Sequence, residues 1–212
     1  MTTKRYGRAS DDLFGRLLQT LPGKLASHWL VQGMLYMDPT ERRFKLSLDV
    51  VAALVLGNLL WRRVPPPVAV VAAVVSAHSL NFIFNGHLRG ALKWHHVGGV
   101  TSAVLERELP AIAARLGRTS AVAKAHAFGS LARGELHDGS DLDIRILRKP
   151  GLRAATVACT LALLERSRSL WTGVPIDIYV FDSAARMSDM RSDEEPVDLA
   201  VLAASASPRS QR

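Results

Sequence analysis

FGSLARGELHDGSDLDI, residues 128–144, is the stretch that decides how the rest of this chain is read. Ala121 to Phe128, just ahead of it, is short and partly apolar and reads as a buried strand running into Gly129-Ser130. A glycine there lets the backbone approach a ligand, a serine offers a hydroxyl at what would be a helix start, and free amides attract phosphate. Asp141 and Asp143 are separated by one residue and flanked by Leu142, Ile144, Ile146 and Leu147. On a strand both carboxylates therefore project from one face. Side-by-side carboxylates repel unless a cation holds them, and Mg²⁺ suits the task because it takes few protein carboxylates and leaves room for water and phosphate.

Working outward, TSAVLERELPAIAARLGR starts at Thr101 with Val104, Leu105, Leu109, Ile112 and Leu116 at helical spacing. Pro110 predicts a bend or break in that helix, and Gly117 its end. On the other side a helical stretch from Arg153 to Leu170 ends near Thr172-Gly173, and VPIDIYVFD follows. This run is strongly β-prone, yet it holds Asp177 among Ile176, Ile178, Tyr179 and Val180. Beside the strand of Asp141 and Asp143, Asp177 would complete a three-carboxylate cluster able to hold one or two metal ions facing the Gly-Ser turn. The plainer readings are an Asx-turn for Asp141 and an exposed strand edge for Asp177. His126 and His137 flank the motif and read as structural or surface residues.

These residues carry a resemblance. A strand, Gly-Ser, ten residues and Asp-x-Asp resemble the signature of the polymerase β-like nucleotidyltransferase superfamily, and within it the minimal nucleotidyltransferase type. That type's Phe-Gly-Ser-x-Ala-Arg-Gly and Ser-Asp-x-Asp are met by Phe128, Gly129, Ser130, Ala132, Arg133, Gly134, Ser140, Asp141 and Asp143. The likeness covers roughly residues 101–182.

It implies an α+β fold, a small mixed sheet with flanking helices, and transfer of a nucleoside monophosphate to a hydroxyl of a protein or small molecule. AMP from ATP is the first choice among the nucleotides. By the same resemblance Gly129 and Ser130 hold the β- and γ-phosphates, with Arg133 and Ser140 in the nucleotide site. Asp141 and Asp143 bind Mg²⁺, and Asp177 binds a second Mg²⁺ and helps deprotonate the acceptor. Arg133 also has a plain reading, a salt bridge to Glu135 or Asp138. Arg145 departs from the pattern: it shares a strand face with Asp143 where the family has an apolar residue, so it either helps hold the triphosphate or weakens metal binding.

Nothing before Gly98 belongs to this likeness. Residues 1–97 hold 12 Lys+Arg against 5 Asp+Glu, net +7, and residues 98–212 hold 15 against 14, net +1. Ser10 and Asp11 can cap a helix carrying Leu13, Phe14, Leu17 and Leu18, and the pattern breaks at Pro22-Gly23. A second apolar patch, from Trp29 to Met37, ends at Asp38-Pro39. Beyond Arg42, Arg43 and Lys45 come two apolar runs, 46–61 and 68–86, separated by Arg62-Arg63 and three prolines.

Each run is about 16 to 19 residues, at the lower edge of what spans a bilayer. Two readings stand: a two-helix membrane hairpin with Trp61 and Trp94 at its mouths, or a buried hairpin of a soluble helical region. His78, Asn81 and Asn85 fall on one helical stripe, as interhelical glue or as helix-end caps. Adjacent His95-His96, with His87 eight residues earlier, make a weak metal motif without acids nearby.

The chain therefore divides into a basic helical region at 1–97, a nucleotidyltransferase unit at 98–188 after the hinge-like Val97-Gly98-Gly99-Val100, and 189–212. That last part reads as a charged loop, a short helix from Pro196 to Ala204 and a polar tail. It is too short for the helical acceptor-binding domain of kanamycin-type relatives. The N-terminal half, a second copy of the chain or a partner must then hold the acceptor.

Composition excludes whole classes. At 48% hydrophobic and 22% charged the chain is not disordered, and its single cysteine, Cys159, excludes an internal disulfide or a cysteine zinc cage. The first ten residues are polar and basic with no apolar core behind them, which is not an export signal; the expected place is the cytoplasm, or a membrane with the catalytic unit on its cytoplasmic side. A competing function is a tethered nucleotide sensor without transfer, against which all three acids stand. Nucleic-acid association is a weaker competitor, because the arginines are scattered and few aromatics accompany them.

Overall fold

The computed structural model describes residues 16–18, 20–93, 100–189 and 194–206. The helix start at Ser10, the histidine pair at 95–96, Trp94, most of the hinge at 97–100 and the end of the tail lie outside them. Four strands form one mixed sheet in the order β3-β2-β1-β4: β1 is Val122–Phe128, β2 Leu142–Arg148, β3 Ile176–Phe181 and β4 Val197–Asp198. β2 runs antiparallel to β1 and parallel to β3, and β1 is antiparallel to β4. The α+β core expected from the sequence is the one observed.

Among the described residues, 16–18 are helical and are followed by α1 (Leu21–Val31), α2 (Pro39–Leu60) and α3 (Pro66–Phe84). α4 (His87–Lys93) and α5 (Ser102–Arg118) precede the sheet, and α6 (Gly129–Ala132) is a short turn after β1. α7 (Leu152–Thr172) is the crossover between parallel β2 and β3, while α8 (Ala184–Asp189) and α9 (Leu199–Ala206) follow. The parallel pairing requires that crossover helix.

Alternation along β2 explains the layering. Leu142, Ile144 and Ile146 are fully buried against α5 and α7, together with Leu105, Leu109, Ile112 and Leu116 of α5. Pro110 lies inside α5, which runs on through it, so of the expected bend or break the break is absent. The helix reaches Arg118, one residue past Gly117.

Two further boundaries are sharpened by the structure. Residues 16–18 are helical and a separate helix, α1, starts at Leu21 with Pro22-Gly23 in its first turn: the Thr20 side chain accepts the Gly23 amide at 3.2 Å, and a proline is tolerated there because its missing N–H has no partner. The expected helix at Pro196–Ala204 gives Val197 and Asp198 to β4, which pairs with Ala127 and His126, and only then becomes α9. A two-residue edge strand carries no periodicity to be read.

α2 and α3 form an antiparallel helical hairpin whose base is sewn to the sheet. Asp38 accepts the Asp182 amide and Glu41 the Val180 amide, both at 2.8 Å, so the outer edge of β3 is covered by carboxylates of the first α2 turn. Asn85 accepts from Arg166 of α7, and Ser167 donates to the Phe84 carbonyl.

The stripe of His78, Asn81 and Asn85 does bridge helices. His78 joins Asp49 at 3.0 Å and the Trp29 carbonyl at 2.8 Å, and Asn81 donates to Asp49 at 2.7 Å. Toward its tip the hairpin loses cover. Leu54 is 69% exposed and Val71 63%, and Val50, Leu59, Val70 and Val74 are exposed too. The reading as a core hairpin buried within this chain is therefore overturned. Among the described residues α3 is the helix long and apolar enough to cross a membrane, and 28% of that apolar window is buried.

Candidate functional site

The second face of the sheet carries the polar residues that β2 alternation excludes from the core. Phe128 pairs with Asp143 and Asp143 with Asp177 across β1, β2 and β3, so the three share one face. In the next row His126, Arg145 and Tyr179 are partners. The expected placement of Asp177 beside the Asp143 strand is thus observed. Asp141 lies just before β2 and is half-buried.

β1 ends at Phe128, and Gly129 turns the chain into α6 at φ +63°. A Cβ at Gly129 would stand 2.5 Å from Asp143 Oδ2. Only glycine allows both the left-handed backbone and that approach of the carboxylate to the turn. Ser130 follows in α6, half-buried.

Arg145 is the side chain that changes the site. It is 1% exposed, donates from one NH to the carbonyls of Ile144 and Asp177, and reaches Asp177 Oδ2 at 3.4 Å and Asp143 Oδ1 at 3.8 Å with the other. Its guanidinium carbon sits 4.8 Å from the Tyr179 ring centre and 6.0 Å from that of Phe128. Planar, weakly hydrated guanidinium tolerates such stacking and burial better than an ammonium.

Two expected nucleotide ligands are engaged inside the chain. Ser140 is buried; its hydroxyl accepts the His137 amide at 3.1 Å and lies 2.7 Å from His137 Nδ1, which closes the loop before β2. Arg133 pairs with Glu135 at 2.8 Å and with Glu194 at 3.2 Å, so the first of its alternative salt bridges is present. His126 is half-buried and burial lowers its pKa.

Sequence reading missed Glu194. Its carboxylate accepts the Gly129 amide at 2.8 Å while holding Arg133. Nothing in the charged run 189–195 distinguishes this residue from its neighbours. Also missed was the floor of the site: Met37, Phe128, Tyr179, Phe181 and Met187 form a small apolar cluster with Met34 packed on it. Residues between α1 and α2 therefore wall the same sheet face that carries the aspartates.

Residues 107–202 match the family model of the nucleotidyltransferase domain. This stretch is similar to a nucleotidyltransferase domain. It holds every candidate site residue named above, and it makes the chain a transferase. The matched span also takes in β4 and the first half of α9. No curated protein and no solved structure matches the chain.

Nucleotidyltransferase domains use a nucleoside triphosphate and a divalent metal ion. The two-ion, three-carboxylate arrangement expected from the sequence does not fit here. Among the described residues no group of three or more His, Cys, Asp or Glu is placed to hold an ion, and the Arg145 guanidinium reaches both Asp143 and Asp177. The physical reason is local, since alternation that puts Asp143 on the site face puts Arg145 there as well.

Proposed function

We propose that this nucleotidyltransferase domain, of the minimal type, moves AMP from ATP to a hydroxyl of a protein or small-molecule acceptor. The observation that carries the reading is the pairing of Asp143 with Asp177 on neighbouring strands, with Asp143 seated against the Gly129 turn. Phosphate oxygens would take over the Gly129 amide that Glu194 now accepts, and Arg133 would turn from the glutamates to the triphosphate. Ser130 stands next to that amide. The acceptor oxygen attacks the α-phosphorus, a P–O bond forms, the α–β bridging bond breaks and pyrophosphate leaves. The proton goes to Asp177, the more exposed of the two paired acids. Mg²⁺ is the divalent ion proposed to accompany the nucleotide.

The N-terminal region is proposed to hold the acceptor and to place the enzyme at a membrane, with the catalytic domain on the cytoplasmic side. Support for the first part is the Met34 and Met37 wall beside the aspartates. Support for the second is the exposed apolar hairpin, about 25 Å long at 1.5 Å per residue, with Trp61, Arg62 and Arg63 at the tip and Arg42 and Arg43 at the base.

Incubation of the chain and a lysate of its own organism with α-labelled ATP, GTP, CTP or UTP tests transfer. The label should pass to an acceptor from ATP in the wild type and not in Asp143→Asn. Equal labelling by both would end the proposal. Flotation with anionic liposomes tests the hairpin, and Leu54→Asp with Val71→Asp should abolish co-flotation. Unchanged flotation would remove the membrane from the reading.

A further inference from the structure

Arg145 has a place in the site that its burial alone does not explain. A buried guanidinium without a negative partner is costly, and two neighbouring carboxylates without a cation repel. Here each problem answers the other. The guanidinium is within 3.4 Å of Asp177 and 3.8 Å of Asp143, clamped by the Tyr179 ring and by backbone carbonyls of Ile144 and Asp177. Among the described residues its buried Nε has no hydrogen-bond partner, and the contacts it makes run through the terminal nitrogens and the guanidinium face.

We infer that Arg145 is a resident cation of the Asp143–Asp177 pair, taking the position of a second divalent ion, so that the pair binds no ion of its own. Positive charge at the acceptor side of the centre is then built into the chain, and a divalent ion enters only with the nucleotide or through Asp141 and Asp143. A lysine could supply the charge, but not the flat face that stacks on Tyr179 while two nitrogens reach separate oxygens. Arg145 acts here as a positioning residue: it holds the two acids at fixed spacing and lowers their attraction for metal. The inference deepens the nucleotidyl-transfer reading, but its test measures ion binding directly and needs no turnover.

Mn²⁺, which takes the same oxygen ligands as Mg²⁺ and is visible by electron paramagnetic resonance, is the probe. Full-length wild type, Arg145→Met, Arg145→Lys and Arg145→Met with Asp177→Asn are titrated without nucleotide. The expected result is at least tenfold tighter Mn²⁺ binding in Arg145→Met, wild-type behaviour in Arg145→Lys, and loss of the gain when Asp177→Asn is added. Equal Mn²⁺ affinity in wild type and Arg145→Met would overturn the inference. If Arg145→Met does not fold by circular dichroism, Asp177→Asn alone decides, since that side chain is 41% exposed and tolerates the change. Unchanged Mn²⁺ stoichiometry in Asp177→Asn is expected, and loss of a bound ion would overturn the inference. Failure of transfer with labelled nucleotide, by contrast, would leave these titrations intact and strike only at the reaction.

Discussion

Glu41 and Val180 lie 139 positions apart and are joined by a 2.8 Å hydrogen bond from the strand amide to the helix carboxylate. The other oxygen of Glu41 binds Arg166, which also donates to the Ile178 carbonyl and to Asn85. One acid thus covers an open edge of β3, answers a buried arginine and ties α2 to the helix that crosses between β2 and β3. Asp177 stands on that same strand, so the hairpin base and the site share one structural element.

Removing half of this arrangement should cost more than removing both halves. Glu41→Ala leaves Arg166 buried and unpaired, and should destabilise the chain by about 3–5 kcal/mol. Combining Glu41→Met with Arg166→Met should recover part of the loss. Chemical denaturation of the two variants and the wild type checks the order, and additive losses would contradict it.

Lys45 gives a pH dependence with a definite sign. Its ammonium is buried, 2.8 Å from the Gln32 carbonyl and 2.6 Å from His87 Nε2, and burial together with Arg166 pushes its pKa down to about 6. His87 is held neutral by its own burial and by Lys45. Between pH 6 and the ordinary lysine value near 10.5 the unfolded chain holds a proton that the folded chain lacks, so this group makes stability rise with pH. Lys45→Met should stabilise by about 1–3 kcal/mol near pH 7, an advantage that shrinks toward pH 10. Thermal melts across that range read it, and a constant difference would refute it.

Glu194 holds the Gly129 amide and Arg133, the two groups that the proposed function gives to phosphate. Glu194→Gln should therefore tighten ATP binding, by about fivefold if one charge-assisted contact is lost from the empty state. Calorimetric titration measures it. Weaker binding would mean that Glu194 helps the nucleotide instead.

Gly129→Ala and Gly134→Ala separate strain from contact. Both glycines have positive φ, +63° and +68°, but a Cβ meets Asp143 only at Gly129, with nothing within 4 Å at Gly134. Each substitution should cost about 1–2 kcal/mol of stability. Loss of labelled transfer by two orders of magnitude or more is expected only for Gly129→Ala, because only that variant displaces Asp143.

Cys159 lies in the main core, where burial pushes its thiol up to about 12. The native chain should not react with a thiol reagent at pH 8, and one thiol per chain should appear on denaturation. Rapid native labelling would place α7 differently.

How much of this could be read without coordinates follows from range. Gly129, Asp141 and Asp143 lie within one short segment, and their types and spacing name the chemistry because a turn and a strand are local objects. Ile144 and Ile146 against Asp143 and Arg145 likewise give the two faces of β2, and the isolated acid in VPIDIYVFD marks Asp177. The stripe of His78, Asn81 and Asn85 was legible as a stripe, though its partners Asp49, Trp29 and Arg166 were not.

The sequence by itself determined a turn with strand-borne aspartates beside it and an apolar helical pair, since each rests on residues a few positions apart whose period fixes a face, and residues 128–144 carried the resemblance to nucleotidyltransferases. The tertiary structure alone decided that Arg145 stands between the acids, that Glu194 sits on the Gly129 amide, that Asp38 and Glu41 close the edge of β3, and that Met34 and Met37 wall the site. Those contacts join segments dozens to more than a hundred residues apart. Their distances and charges are set by how helices and strands pack, and no local spacing encodes them.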